Sequence, residues 1–139
     1  MAGVEQSPAG VAQAFDVLDI GEAGVALLAE PEWANGDRNS KTLFKADTLR
    51  VVLTALRDGG ILRNEDPDEA VAIHVLQGEL QVRIQSNASV ARTGQLVRLG
   101  GGEPWQITAA VDSLFLLIVG RLPVPASKSA GTQAERGSA

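Results

Sequence analysis

The chain has 139 residues, 45 % of them hydrophobic, which suits one domain with an apolar core and excludes a fully disordered chain. A formal net charge of −5 argues against a nucleic-acid partner, because contacts with phosphates need a basic surface. Without cysteine the chain forms neither disulfide bonds nor thiolate metal sites, and its composition fits a reducing compartment.

The N-terminal part of the chain carries weak structural signals. Residues 1–14 are small and polar; we predict that they are flexible, and they show none of the basic and apolar regions of a signal peptide. Residues 25–30 are predicted to form a short helix that Pro31 ends, because a proline disfavours the helical conformation in the residue before it. Residues 32–40 contain Asn35-Gly36 and are predicted to form a turn.

Residues 41–121 are predicted to form short strands separated by turn residues. In residues 79–85, Leu80, Val82 and Ile84 alternate with polar residues, which is the period of a half-buried strand. About eight such strands with almost no helix predict a single all-β domain that extends over residues 15–121. The predicted strands include residues 48–57, 70–76, 79–85, 88–92, 95–99, 104–109 and 114–119.

The predicted strand over residues 114–119 is apolar on both faces. Such a strand has to be covered on both sides, by the core and by another sheet or subunit, and we therefore expect a homodimer. No apolar run is long enough to span a bilayer, so we expect a soluble, cytoplasmic protein with no membrane segment. Residues 122–139 carry too little apolar surface to fold and are predicted to be a disordered tail.

Two blocks of the sequence resemble the conserved barrel of the cupin superfamily. The first leads from GGILRNED at residues 59–66 to VAIHVLQGEL at residues 71–80, and the second is GQLVRLGGGEPW at residues 94–105. Cupins show this order: a strand that ends in a Val-Leu-x-Gly turn, a hairpin, a strand led by glycine, and a loop rich in Pro and Gly. The resemblance implies an all-β fold, a cupin-type β-barrel or jelly-roll sandwich, here with a short N-terminal helical segment.

The resemblance also implies where a metal site would lie. In cupins a His-x-His pair, a Glu and a further His bind a transition metal inside the barrel. Counted from Gly78 of the first block, the His-x-His pair falls on Asn64 and Asp66, and the Glu falls on Val71. Counted from the second block, the last His falls on Trp105. None of the expected ligands is present, so we predict that the metal site is lost and that the protein has no cofactor.

Strand alternation places Ile73 on the same face as Val71, and His74, the only histidine, on the opposite face. The candidate cavity-lining residues are therefore Asn64, Asp66, Val71, Ile73 and Trp105. His74 is a candidate polar residue, either packed in an interface or acting as a general base. Glu65, from an acidic loop, is the second candidate polar residue, because a shift of one position would place it where a ligand is expected.

These residues leave three hypotheses about function. The first is a metal-free, non-catalytic cupin-like protein that binds a small molecule or has a structural role. The second is a metal-independent isomerase or lyase that uses Asp66, Glu65 or His74 as acid or base. The third is a metal-dependent, dioxygenase-like cupin with unusual ligands. No residue pattern identifies a substrate.

Overall fold

The computed structural model describes residues 15–64, 66, 68–99 and 102–121. Within these residues the chain forms two antiparallel β-sheets and two short helices, which confirms the all-β fold class and the N-terminal helical segment. The predicted flexible residues 1–14 and the predicted disordered tail, residues 122–139, lie outside the described residues. The elements are α1 (Ile20–Leu28), α2 (Pro31–Ala34), β1 (Arg38–Lys45), β2 (Leu49–Leu56), β3 (Ile61–Arg63), β4 (Glu69–Gln77), β5 (Glu79–Ile84), β6 (Asn87–Arg92), β7 (Leu96–Leu99), β8 (Trp105–Ala109) and β9 (Ser113–Arg121).

The first helix begins earlier than its sequence pattern indicates. The side chain of Asp19 caps α1 by accepting a hydrogen bond of 2.9 Å from the backbone N–H of Glu22. An aspartate in this position satisfies one of the unpaired N–H groups of the first turn, so the helix starts directly after it. The predicted helix over residues 25–30 therefore corresponds only to the last part of α1.

The second helix begins at the proline that was expected to end the first. Pro31 is the first residue of α2, a position where its fixed φ and missing N–H are tolerated. The turn predicted over residues 32–40 is wrong in its extent, because α2 and the start of β1 occupy most of it. Within the described residues, no helix is both long enough and apolar enough to cross a membrane.

The strands form a five-stranded sheet in the order β1-β2-β9-β4-β7 and a four-stranded sheet in the order β3-β8-β5-β6. The inward side chains of the two sheets meet in one hydrophobic core. Alternation decides which residues enter it, because successive side chains of a strand point to opposite faces. The core residues with no measurable exposure include Leu56, Ile73, Val75, Leu80, Ile107 and Phe115.

Helix α1 covers part of the outer face of the five-stranded sheet. Leu27 is 1 % exposed and packs with Leu53 and Ala55 of β2 and with Leu114 of β9 in a second hydrophobic cluster. The outer face of β9, which led to the expectation of another sheet or subunit, is thus partly covered by a helix of the same chain. The apolar character of β9 is therefore not in itself an argument for a homodimer.

A cation–π contact joins α2 to the end of β2. The guanidinium of Arg57 lies 3.8 Å from the centre of the Trp33 ring and donates a hydrogen bond of 2.8 Å to the carbonyl of Trp33. It also forms an ion pair of 3.1 Å with Asp112, which in turn accepts a hydrogen bond of 2.9 Å from the backbone N–H of Asp58. These contacts connect α2 to the turn before β9.

We expect the variant Asp112→Asn to lose a pH-dependent part of this stabilisation. The backbone N–H of Asp58 and then the guanidinium of Arg57 hold the pKa of Asp112 below its ordinary value. The ionised carboxylate therefore contributes stability above the ordinary pKa of about 4, and this contribution disappears as the pH falls through the folded-state pKa. Denaturant unfolding should show a variant less stable by up to about 1 kcal/mol near neutrality and equal to the parent in acid. A difference in stability between parent and variant that persists in acid would contradict this account.

Candidate functional site

Three of the predicted cavity-lining residues lie together in the core between the sheets. Val71, Ile73 and Trp105 are 4 %, 0 % and 6 % exposed and belong to the same hydrophobic cluster. Trp105 on β8 pairs with Ile84 of β5, and Val71 on β4 pairs with Leu99 of β7. The interior around the implied metal position is therefore filled with apolar side chains.

Asn64 lies beside Trp105, but its polar atoms are already engaged. Its Oδ1 accepts a hydrogen bond of 2.9 Å from the backbone N–H of Trp105, and its Nδ2 donates one of 3.4 Å to the carbonyl of Glu103. These bonds tie the end of β3 to the loop before β8. The amide therefore has a structural role in holding these two segments together.

Asp66 and His74 do not converge on one point. The carboxylate of Asp66 accepts hydrogen bonds from the backbone N–H of Asp68 at 2.9 Å and from the guanidinium of Arg121 at 3.5 Å. His74 lies in the middle of β4, on the outer face of the five-stranded sheet, about 16 Å from the start of that strand at a rise of about 3.3 Å per residue. Glu65, the other candidate polar residue, lies outside the described residues.

The residues at the implied metal position do not fit a transition-metal centre. Such a centre needs several imidazole, thiolate or carboxylate ligands that converge on one point. The implied positions offer an engaged amide, a carboxylate held by an arginine, and two apolar side chains. In the part of the chain that the structure describes, no group of three or more His, Asp or Glu side chains is placed to hold a metal ion.

A groove opens between the edge strands β6 and β7, with a volume of about 550 Å³. Its position follows from the sheet order, because β6 and β7 each end their sheet and do not pair with each other. The apolar residues that line it include Val82, Ile84, Ala91, Val97 and Leu99. The polar residues that line it are Asn87, Ser89, Gln95 and Arg98.

The groove is open because the inward side chains of β6 are small. Ser89 pairs with the buried Val82 and Ala91 pairs with the buried Leu80, so these side chains face the interior of the sandwich. Two packed sheets lie about 10 Å apart, a distance that needs large side chains to fill it. Serine and alanine do not fill it, and the apolar wall formed by β5 and β7 stays accessible at this edge.

Arg98 is the one charged residue in the part of the groove lining that the structure describes, and its side chain leaves the outer face of β7, because the neighbouring Val97 and Leu99 face the core. It is exposed, and among the described residues no carboxylate forms an ion pair with it. The neighbouring Gln95 is engaged, since its Oε1 accepts a hydrogen bond of 2.7 Å from the backbone N–H of Arg92. A guanidinium in this setting is a suitable partner for a carboxylate or another anionic group of a ligand.

The strand patterns did not identify this groove, although one signal for it is present in the sequence. The inward positions of β6 are Asn87, Ser89 and Ala91, a run of small or polar residues opposite the apolar inward positions of β5. A strand that presents small side chains to a core leaves space beside it. The pattern becomes informative only when β6 is known to be an edge strand, which depends on the sheet order.

Known proteins resemble this chain in structure rather than in sequence: no family model matches it, and a search of curated proteins finds no significant match. A conserved Streptococcus pyogenes protein of unknown function, SPY1581, is 21 % identical with a TM-score of 0.63, covering 82 % of this chain and 93 % of its own. The cupin-2 domain of an XRE family transcriptional regulator from Enterobacter cloacae is 18 % identical with a TM-score of 0.56, covering 63 % and 99 %. A cupin-2 domain containing protein from Shewanella frigidimarina is 14 % identical with a TM-score of 0.60, covering 76 % and 95 %.

Proposed function

We propose that this chain, which has the cupin fold, is a metal-free and non-catalytic binding protein whose ligand is a small apolar molecule with an anionic group. The observation that carries this proposal is the groove between β6 and β7, which combines an apolar wall with one exposed arginine. The interior that cupins use for a metal is occupied by Val71, Ile73 and Trp105, whereas the groove leaves an accessible space beside the core.

The dimensions and the lining of the groove define the class of ligand. Small-molecule sites have volumes of about 300–1,000 Å³ and are mostly apolar with a few polar groups that fix orientation. The groove, at about 550 Å³, falls within this range. Ile84 and Val97 supply apolar contact, while the long side chain of Arg98, which leaves the outer face of the edge strand β7, is the group that would reach a carboxylate or a sulfonate at the rim. An aromatic or aliphatic acid fits this combination.

The binding site is tested with the fluorescent probe 8-anilinonaphthalene-1-sulfonate, which has an apolar body and one negative charge. We expect the folded protein to bind it, and the variant Asn87→Trp to bind it at least about fivefold more weakly, because a bulky side chain then occupies one end of the groove. Arg83→Trp is the matched control: it adds the same side chain to an exposed position on the outer face of the neighbouring strand. Equal affinity of both variants would refute the proposed site.

The role of Arg98 has its own test. The variant Arg98→Gln should weaken binding of the anionic probe by about tenfold and leave binding of its uncharged analogue N-phenyl-1-naphthylamine unchanged. A loss of affinity for both probes would show that the variant disturbs the groove rather than the charge. Unchanged binding of both would remove Arg98 from the site.

The other hypotheses receive less support from the geometry. A metal-dependent, dioxygenase-like cupin needs ligands that the implied positions do not offer, since the amide of Asn64 is engaged and Val71 is apolar. A metal-independent isomerase or lyase needs an acid and a base in one cavity, whereas Asp66 and His74 lie far apart. A purely structural role would follow if neither probe bound. The absence of cysteine supports a cytoplasmic location.

A further inference from the structure

Strand β6 is an edge strand without the features that normally prevent edge-to-edge pairing. In the described part of the chain the sheets have three other edges. β1 contains a register shift and two lysines, while β3 and β7 consist of only three and four residues. Bulges, lysines and short length are the usual protections of a sheet edge. β6 is six residues long and pairs regularly with β5, and it carries no charge from Asn87 to Ala91.

Hydrogen bonds at the end of β6 show which of its backbone groups face outward. The N–H of Arg92 bonds to the side chain of Gln95, and the carbonyl of Arg92 accepts from the N–H of Gln95. Both groups therefore point away from β5. In an antiparallel ladder this orientation alternates along the strand, so the N–H and C=O groups of Val90 and Ala88 also point outward. The free edge of β6 thus offers two residues for pairing with another strand.

We infer that β6 pairs antiparallel with β6 of a second copy of this chain, around a two-fold axis at Ser89. In this register Ala88 pairs with Val90 of the second copy, and Val90 with Ala88 of the second copy, so that every outward backbone group of these residues is satisfied. Ser89 then lies opposite Ser89 of the second copy, in a pair without backbone hydrogen bonds. This isologous arrangement closes on itself and gives a dimer.

The charge and the size of the β6 side chains favour a second copy as the occupant. Two identical edges meet without like-charge repulsion only if they are neutral, and β6 is neutral apart from Arg92, which is paired with Glu79 at 3.2 Å. The chain as a whole carries a charge of −5, whereas residues 87–91 of β6 carry no charge that would repel a second copy. The small side chains of Ala88 and Ser89 allow close contact between the two strands.

The dimer would also change the surroundings of the groove opening. The strand of the second copy would lie along the free side of β6, next to the opening between β6 and β7, so the grooves of the two copies would face each other. The pairing does not depend on the ligand proposed above. A protein that dimerises through β6 but binds neither probe would refute the proposed function and leave the dimer intact.

The first test uses the absence of cysteine from the chain. In the variant Ser89→Cys, the introduced thiols would sit on the axis with Cα atoms about 4.5 Å apart, within the range that a disulfide spans. We expect mild oxidation to convert most of the full-length protein to a covalent dimer on a non-reducing gel. The control Ser86→Cys places its thiol in the adjacent hairpin turn, away from the axis, and should form little dimer. Equal cross-linking of both variants would overturn the register.

The second test removes the pairing without a cross-link. The variant Val90→Pro loses an N–H that points outward, and prolines are tolerated at such positions of edge strands. Light scattering at micromolar concentration should give a dimeric mass for the parent and a monomeric mass for the variant, with an unchanged circular dichroism spectrum. If the proline disturbs the fold, Val90→Lys places a charge at the edge instead and should give the same loss of dimer. A monomeric parent, or a folded variant that stays dimeric, would overturn the inference, and a parent that instead binds extended peptides as a monomer would identify a different occupant.

Discussion

Replacing Val71 with glutamate is expected to destabilise the fold by about 3–5 kcal/mol at neutral pH. Val71 is 4 % exposed and lies between Leu99 of β7 and Val119 of β9, and neither neighbour offers a hydrogen bond from its side chain. Burial would raise the pKa of the new carboxyl group above its ordinary value, because the charged form is poorly solvated there. Since the folded protein then favours the protonated form, the loss of stability should be smaller in acid than at neutral pH. Denaturant unfolding at both values measures this.

The variant Ala72→Glu is the matched control for this experiment. Ala72 is the next residue of β4, but it points to the outer face and pairs with Arg98 of β7. A glutamate there stays solvated and faces an arginine, so we expect a change of less than about 0.5 kcal/mol. If Val71→Glu were as stable as this control, the interior would have to be hydrated, and a polar cavity would replace the filled core on which a metal-free function rests. Stabilisation of Val71→Glu by added transition-metal ions would also contradict the absence of a ligand set.

The strands could be predicted because the alternation of apolar and polar residues along a strand is a short-range signal in the sequence. The alternation of Leu80, Val82 and Ile84 predicted β5, and Leu80 and Val82 are buried in the structure, as that pattern requires. The turn at Gln77-Gly78 was also visible, because a glycine there allows a positive φ. The pairing of distant strands has no such local signature. The resemblance to cupins implied the fold class, which the structure confirms, but it gave no strand order for the two sheets.

Helix α1 was only partly predictable because its apolar face belongs to a tertiary contact. Leu27 is buried against Leu53, which lies on a strand far away in the sequence. Without knowledge of that contact, the segment shows no strong helical periodicity of its apolar residues. The start of the helix depends on one hydrogen bond, which the side chain of Asp19 accepts from the backbone N–H of Glu22, and both residues precede the predicted helix over residues 25–30. Helix boundaries that depend on capping residues and on distant packing partners are the hardest part of a fold to predict from its sequence.

The candidate site shows the same division between local and remote information. The positions of Val71 and Trp105 were assigned by counting from glycines, and both residues lie in the core as apolar residues should. The groove was not predicted, because it exists only where β6 and β7 fail to pair. An unpaired edge is a property of the whole sheet order. Ser89 and Arg98 can therefore be assigned to one site only when the strand order of both sheets is known.

Gly78, which anchors the first cupin-like block, is expected to tolerate no side chain. It has a φ of 103°, and a Cβ atom added there would approach the Cα and Cβ of Ser113 to 2.8 Å and come closer still to its Oγ. Ser113 cannot easily move, because its hydroxyl accepts from the backbone N–H of Glu79 at 3.1 Å and donates to the carbonyl of Val111 at 2.8 Å. Strain and collision together should make Gly78→Ala less stable by about 3 kcal/mol or more, and lower the thermal midpoint by about 10 °C.

Gly59→Ala separates the two causes of this loss. Gly59 also has a positive φ, of 85°, but a Cβ atom added there would meet nothing within 4 Å. Its cost should therefore be the conformational strain alone, about 1 kcal/mol. The difference between the two variants measures the contact between the β4–β5 turn and the start of β9. If both variants lost the same stability, Gly78 would be needed only for its backbone conformation. The close approach of Ser113 would then contribute nothing to the glycine requirement of this turn.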